Sequence, residues 1–459
     1  MPFTRRIVTV LILVGLIGLP AVVARAFCLG NSCQATSTAT ARVPFCPLPD
    51  PIKKEIAAGY YAGRSPDVMT VTKKPALAGT YKAGKTDVTT AWPAEEPPTD
   101  TSVPIVFSGE GISSSASVPP GTPLDAIAPS LANLLRFKRA NPTVRSGVAV
   151  PGIVGGPAPR LVLEVALKGV GSAELKSDPK AWPYLRSLMQ SGTGTLSGTT
   201  GSLPVDPTAS LTTIGTGGTP SEHGITGLLI RNNMEGGNAG QVAHAWAKDA
   251  PPSVISTLAD DLDAPATATF SKYDGAPEIG LVATAPEDRG LIGDGWYIGT
   301  DKDQIDYVKP SGETAAAEKI LGTGYGKDSV PDVLGVVLHS SVKHMDEQLK
   351  AIVLAAQKDS GGSVTIAVAG TGSALAANAS SSEDPSSMIS TVEQHVKGTD
   401  PVVQAAVPGG LFLDQQVLAD EDISPQTVVT VLLALRAQGG GPLLADAFPG
   451  FAVSFARYC

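Results

Sequence analysis

Few side chains in this sequence could do chemistry, and they are unevenly placed. The most informative run is Pro204 to Gly227, Pro-Val-Asp-Pro-Thr-Ala-Ser-Leu-Thr-Thr-Ile-Gly-Thr-Gly-Gly-Thr-Pro-Ser-Glu-His-Gly-Ile-Thr-Gly, which holds Asp206, Thr208 and His223. Only five histidines occur, and none follows an aspartate. His339 and His344 are spaced to share one metal ion, although a solvated or helix-capping role is commoner for such a pair. Asp206, Asp294, Asp301 and Asp303 offer carboxylates, yet acids scattered through Gly-rich loops are usually solvated. Lys168 places an ammonium at the end of an apolar run, where it either meets water or neutralises an anion. The four cysteines Cys28, Cys33, Cys46 and Cys459 contain no Cys-x-x-Cys pair, which argues against zinc and for disulfides, with three connectivities open.

These residues need a scaffold, and the hydrophobic pattern supplies one. Leu161–Leu167 is an apolar run ending at Lys168-Gly169, Val333–Leu338 ends at His339, and Val364–Val368 is a third. Between the last two, Asp346 to Gln357 puts Leu349, Ile352, Val353 and Ala356 on one helical face, predicting a βαβ unit and a parallel sheet buried on both faces. Val103–Phe107 reads as a short strand. Leu124–Leu135 has helical spacing interrupted by Pro129, and Ser424-Pro425 opens a helix predicted to reach Gln438 before Gly439. Lys82–Thr101 reads as a surface excursion. The fold class is α/β, whose ligand sites lie at the carboxyl ends of the strands.

Composition narrows the class. Apolar residues make up 42% and charged ones 17%, with 50 Gly and 38 Pro, as expected of a loop-rich globular chain with an aliphatic core. A net charge of −9 gives no footprint for nucleic acid. At the N-terminus, Arg5 and Arg6 precede an apolar run, Ile7–Val23, and the Ala24-Arg25-Ala26 pattern that signal peptidase cuts after. Residues 1–26 are read as a signal peptide or an N-terminal membrane anchor, since the run reaches the lower limit of about 17 to 25 residues for a spanning helix. Residues 27–43 are a tether, and residues 44–459 form the folded domain.

The pattern Thr216-Gly217-x-x-Pro220-x-x-His223-Gly224-Ile225 closely resembles a signature of the alkaline phosphatase superfamily, in its type I phosphodiesterase/nucleotide pyrophosphatase branch. The resemblance continues through Ser253–Leu262 and Trp296-Tyr297 to the βαβ unit. It implies a central, mostly parallel sheet with helices on both faces, and a site where Asp and His ligands hold two divalent metals beside a Thr or Ser nucleophile. Here the first ligand position holds Lys168. The nucleophile's place falls on Pro207, between Asp206 and Thr208. The later Asp-His pair corresponds to Gly370-Thr371, and the final His has no counterpart between Lys82 and Thr101.

Residues 44–150 resemble the carboxyl-terminal part of that family and residues 160–459 its amino-terminal and middle parts, which implies a circularly permuted single domain. Permutation brings the new ends together, implying a Cys46–Cys459 disulfide and leaving Cys28–Cys33 as a local one. The resulting expectation is an exported cell-envelope pseudoenzyme with no cofactor, held for interaction with an envelope or membrane protein. The alternatives are an active phosphodiesterase or phosphatase with relocated ligands and zinc, or a module binding an anionic envelope ligand through Lys168 and the small-residue loops, with Lys168, His339 and His344 as the possible ligand-binding residues.

Overall fold

The structure is a computed structural model, and it describes residues 43–82, 85–234, 239–263, 276–293, 303–373, 381–383, 385–396, 400–437 and 440–459. In chain order the strands are β1 (Val68–Thr72), β2 (Ala76–Lys82), β3 (Lys85–Ala91), β4 (Ser102–Gly109), β5 (Leu161–Leu167), β6 (Thr193–Thr199), β7 (Leu229–Arg231), β8 (Val242–His244), β9 (Ile279–Ala283), β10 (Gln304–Tyr307), β11 (Asp332–Leu338), β12 (Val364–Gly370), β13 (Ser381–Glu383), β14 (Val403–Val407), β15 (Gly410–Leu413) and β16 (Leu444–Pro449). Four helices matter below: α1 (Ile127–Leu134), α2 (Pro207–Thr216), α3 (Val342–Asp359) and α4 (Pro425–Leu433).

A strand that is apolar on both faces belongs in the middle of a covered sheet, and β5 sits there. The seven-stranded sheet runs β10-β9-β11-β5-β12-β4-β6. It is parallel as far as β12, after which β4 and β6 join antiparallel. Val162 and Ala166 of β5 pack into one core with α1 and α2. Leu161, Leu163, Val165 and Leu167 pack into a second with Leu349, Ile352 and Val353 of α3. The β11–α3–β12 unit is parallel as expected, with β5 inserted between its two strands.

A second seven-stranded sheet takes β1, β2 and β3 from early in the chain and β13, β14, β15 and β16 from late in it. Val43–Cys459 forms one compact unit. Its start and end are joined covalently: Cys46 and Cys459 are bonded, with their Cα atoms 5.1 Å apart, and beside them the Phe45 N–H donates to Asp446 Oδ2 at 3.0 Å. Cys28 and Cys33 lie outside the described residues.

Three sequence expectations are corrected. The surface excursion expected over residues 82–101 is confined to the turn after Ala94, where Glu96, Pro97, Pro98 and Asp100 are exposed: before it, β3 pairs antiparallel with β2, and Trp92 is 1% exposed with its Nε1 donating to Thr70 Oγ1 at 2.9 Å. The Thr- and Val-rich run prefers a strand, and the prolines that suggested a loop come only after it. Pro129 does not interrupt α1, because it falls in the first turn, where a missing N–H costs no bond. α4 stops at Leu433, and Arg436 then bridges to Pro442; Gln438 and Gly439 lie outside the described residues.

Candidate functional site

Register builds the site. Leu167 of β5 stands opposite Leu338 of β11 and Gly370 of β12. Lys168, His339 and Thr371 are therefore the next residues of three adjacent strands at their carboxyl edge. Gly169, with φ +75°, turns the chain there, and its N–H donates to Thr371 Oγ1 at 2.8 Å. Thr371 is buried, whereas His339 is exposed.

Lys168 does not face water alone. Its Nζ lies 2.5 Å from Asp288 Oδ1, and Asp288 is fully buried. Asp288 belongs to the 3-10 turn Pro286–Leu291, which follows β9 and packs on α2. Glycines allow this approach: a Cβ on Gly290 would stand 2.2 Å from Thr212 Oγ1, and one on Gly215 would stand 2.4 Å from Gly290 O. Glu287, one residue earlier, accepts from His244 Nδ1 at 2.9 Å, and this bond outweighs burial and holds its carboxyl below the usual range, with Lys168 adding to the effect.

Asp206 caps α2. Its Oδ1 accepts from the N–H groups of Thr208 (2.8 Å) and Ala209 (3.3 Å), and its Oδ2 accepts from Leu228 N–H at 3.0 Å. Burial raises its pKa, while these bonds and the nearby Lys168 charge pull the other way. Pro207 occupies the first helical position, where its missing N–H is harmless, and Thr208 is buried. Gly370 ends β12 against backbone: a Cβ there would lie 2.2 Å from Val170 O and 2.8 Å from Pro104 Cδ.

The Thr-Gly-x-x-Pro-x-x-His pattern is a structural lock in this chain. His223 is fully buried; its Nδ1 accepts from Ile225 N–H at 3.1 Å, so Nε2 carries the proton and donates to Thr213 Oγ1 at 3.1 Å. Burial, helped by Arg64, pushes its pKa down to about 3 and keeps the ring neutral.

The remaining sequence candidates are dispersed. His344 lies in the first turn of α3 with Nδ1 3.6 Å from Glu347 Oε2. Asp303 pairs with Arg289 at 3.2 Å, and Asp294 and Asp301 lie outside the described residues. Among the described residues, no three His, Cys, Asp or Glu side chains cluster to hold a metal ion, and no helix is long and apolar enough to cross a membrane. Sequence reasoning missed Asp288, Glu287 and His244. The signal for the two acids was their place after the apolar strand Ile279–Ala283, at the same carboxyl edge as Lys168. Scans against protein-family models and searches of curated proteins and of solved structures found no match to this chain.

Proposed function

We propose that this protein is an exported pseudoenzyme with a permuted alkaline-phosphatase-like fold, and that it acts at the cell envelope through contacts with a protein partner. The observation that carries the reading is the Lys168–Asp288 pair: an ammonium stands where the resemblance assigns a metal ligand, and it already neutralises a buried carboxylate. The residues present do not fit two divalent ions. Gly370 has no room for a carboxylate-bearing side chain, Asp206 is committed to three backbone N–H groups, and Pro207 has no nucleophile. The permutation is supported by β4, which comes from the early segment yet lies between β12 and β6 of the central sheet. An anion-binding role is disfavoured, because Asp288 pairs with Lys168 while Asp206 and Glu287 also lie within its field.

The test is elemental analysis of the purified protein together with phosphodiester hydrolysis in added zinc or manganese. We expect no saturable turnover and none after Lys168→Asp, because catalytic parts act as a unit. Saturable hydrolysis abolished by a chelator would refute the reading.

A separate prediction concerns the last strand position. Gly370→Asp should destabilise the fold by at least about 3 kcal/mol, since the obstacle is the Val170 carbonyl, which cannot swing aside like a side chain. Gly370→Ala should show most of the same loss in a denaturant titration. An alanine variant as stable as the parent would mean that the backbone yields and that the position is open.

A further inference from the structure

Residues 141–150 form a strap that runs from the carboxyl end of α2 to α1. Arg145 Nε donates to Thr216 O at 3.0 Å, Gly147 N–H to Gly217 O at 3.0 Å, and Val150 N–H to Ser130 Oγ at 2.8 Å. The strap presses hard on its support at Gly147, where a Cβ would stand 2.1 Å from Asp125 O. Val148, in the middle, is 75% exposed.

Ser146 makes the contact that depends on protons. Its Oγ lies 2.9 Å from Asp125 Oδ2 and 2.9 Å from Glu222 Oε2. A serine hydroxyl has one proton. With both carboxyl groups ionised the two would have to share that proton, whereas a proton on one of them lets that group donate to Oγ while Ser146 donates to the other. Glu222 Oε2 also accepts the N–H groups of Thr219 at 2.9 Å and Ser146 at 3.1 Å. Asp125 is buried, and its Oδ1 has no donor among the described residues, an arrangement suited to the carbonyl oxygen of a neutral acid and costly for a carboxylate. Burial raises its pKa to about 6, with Ser146 opposing and the Glu222 charge adding.

We propose that Asp125, Ser146 and Glu222 form a proton-operated clasp: protonated Asp125 donates to Ser146 Oγ, Ser146 donates to Glu222, and loss of the Asp125 proton loosens the strap. Other elements packed on the Leu124–Ala126 turn do not compete. α1, α2 and β6 carry no titratable side chain. Arg145 on the strap is occupied by Thr216 O, Ser256 and Asp261, and His223 is neutral and turned to Thr213. The sign follows from a folded pKa raised above the unfolded value of about 3.9: the hold is complete below about pH 4 and is lost as the pH rises through about 6. Acidification from neutral pH therefore tightens the strap.

The test is amide hydrogen exchange at Ser146 and Gly147 of the purified protein, corrected for the intrinsic pH dependence of exchange, at pH 5 and pH 7.5. Protection should fall about tenfold or more on going to the higher pH. Asp125→Asn, whose amide donates to Ser146 at every pH, should abolish that difference, and Glu222→Gln should move the midpoint to lower pH. Wild-type protection unchanged between the two pH values, or a pH dependence that survives Asp125→Asn, would overturn the proposal. If the asparagine variant does not fold, an unmoved midpoint in Glu222→Gln overturns it equally.

Discussion

Lys168→Met should cost the fold about 3 to 5 kcal/mol, because it leaves Asp288 charged, fully buried and without a counter-ion. Among the described residues, the other side chain bonded to Asp288 is Thr284, whose Oγ1 lies 3.5 Å from Asp288 Oδ2, too long to replace a cation. Asp206 and Glu287 nearby would add repulsion once the ammonium is gone. The double variant Lys168→Met/Asp288→Asn should recover more than half of the loss, since the penalty belongs to the stranded charge. Denaturant midpoints of the four proteins in this cycle provide the measurement. A single-variant loss under about 1 kcal/mol would mean that solvent screens the pair as it does at a surface.

Reduction of the Cys46–Cys459 bond should lower stability by roughly 6 kcal/mol in the chain-entropy account, because the closed loop spans a sequence separation of 413. The effect lies in the unfolded chain, which gains freedom when the loop opens. The native near-ultraviolet circular dichroism should therefore be unchanged below the transition while the midpoint falls. Equal midpoints for oxidised protein and a Cys46→Ser/Cys459→Ser variant would contradict this. Peptide mapping without reduction checks the pairing itself, and a Cys28–Cys459 peptide would defeat it.

The central sheet was legible because its strands are written in one alphabet. Leu161–Leu167, Val333–Leu338 and Val364–Val368 are continuous apolar runs, and Leu349, Ile352, Val353 and Ala356 repeat at helical spacing. The second sheet is written differently. β3 carries Thr86, Asp87, Thr89 and Thr90, and β14 carries Gln404 between small residues, so neither announces a core. β3 pairs with β2 just before it, but β14 joins β2 across more than 300 residues, a pairing that no local pattern announces. The site divides the same way: Lys168, Asp206, Pro207, Gly370 and Thr371 could be found from a local pattern, whereas the Lys168–Asp288 pair joins positions 120 residues apart. Nothing near Ser146 in the sequence points to Asp125 and Glu222.

The threading of β1 sets a timetable for the chain. Val68 pairs with Leu411 on one side and Pro449 on the other, so the first strand synthesised in the second sheet waits for the last two. At about 5 to 20 residues per second, the interval between them is roughly 20 to 70 s. During it, the apolar side chains of Val68 and Met69 and both backbone edges of β1 have no native cover, a state open to wrong pairing. A chain with this threading cannot finish folding as it leaves the ribosome. Until β15 and β16 are made, correct folding depends on those two edges and that apolar face meeting no wrong partner.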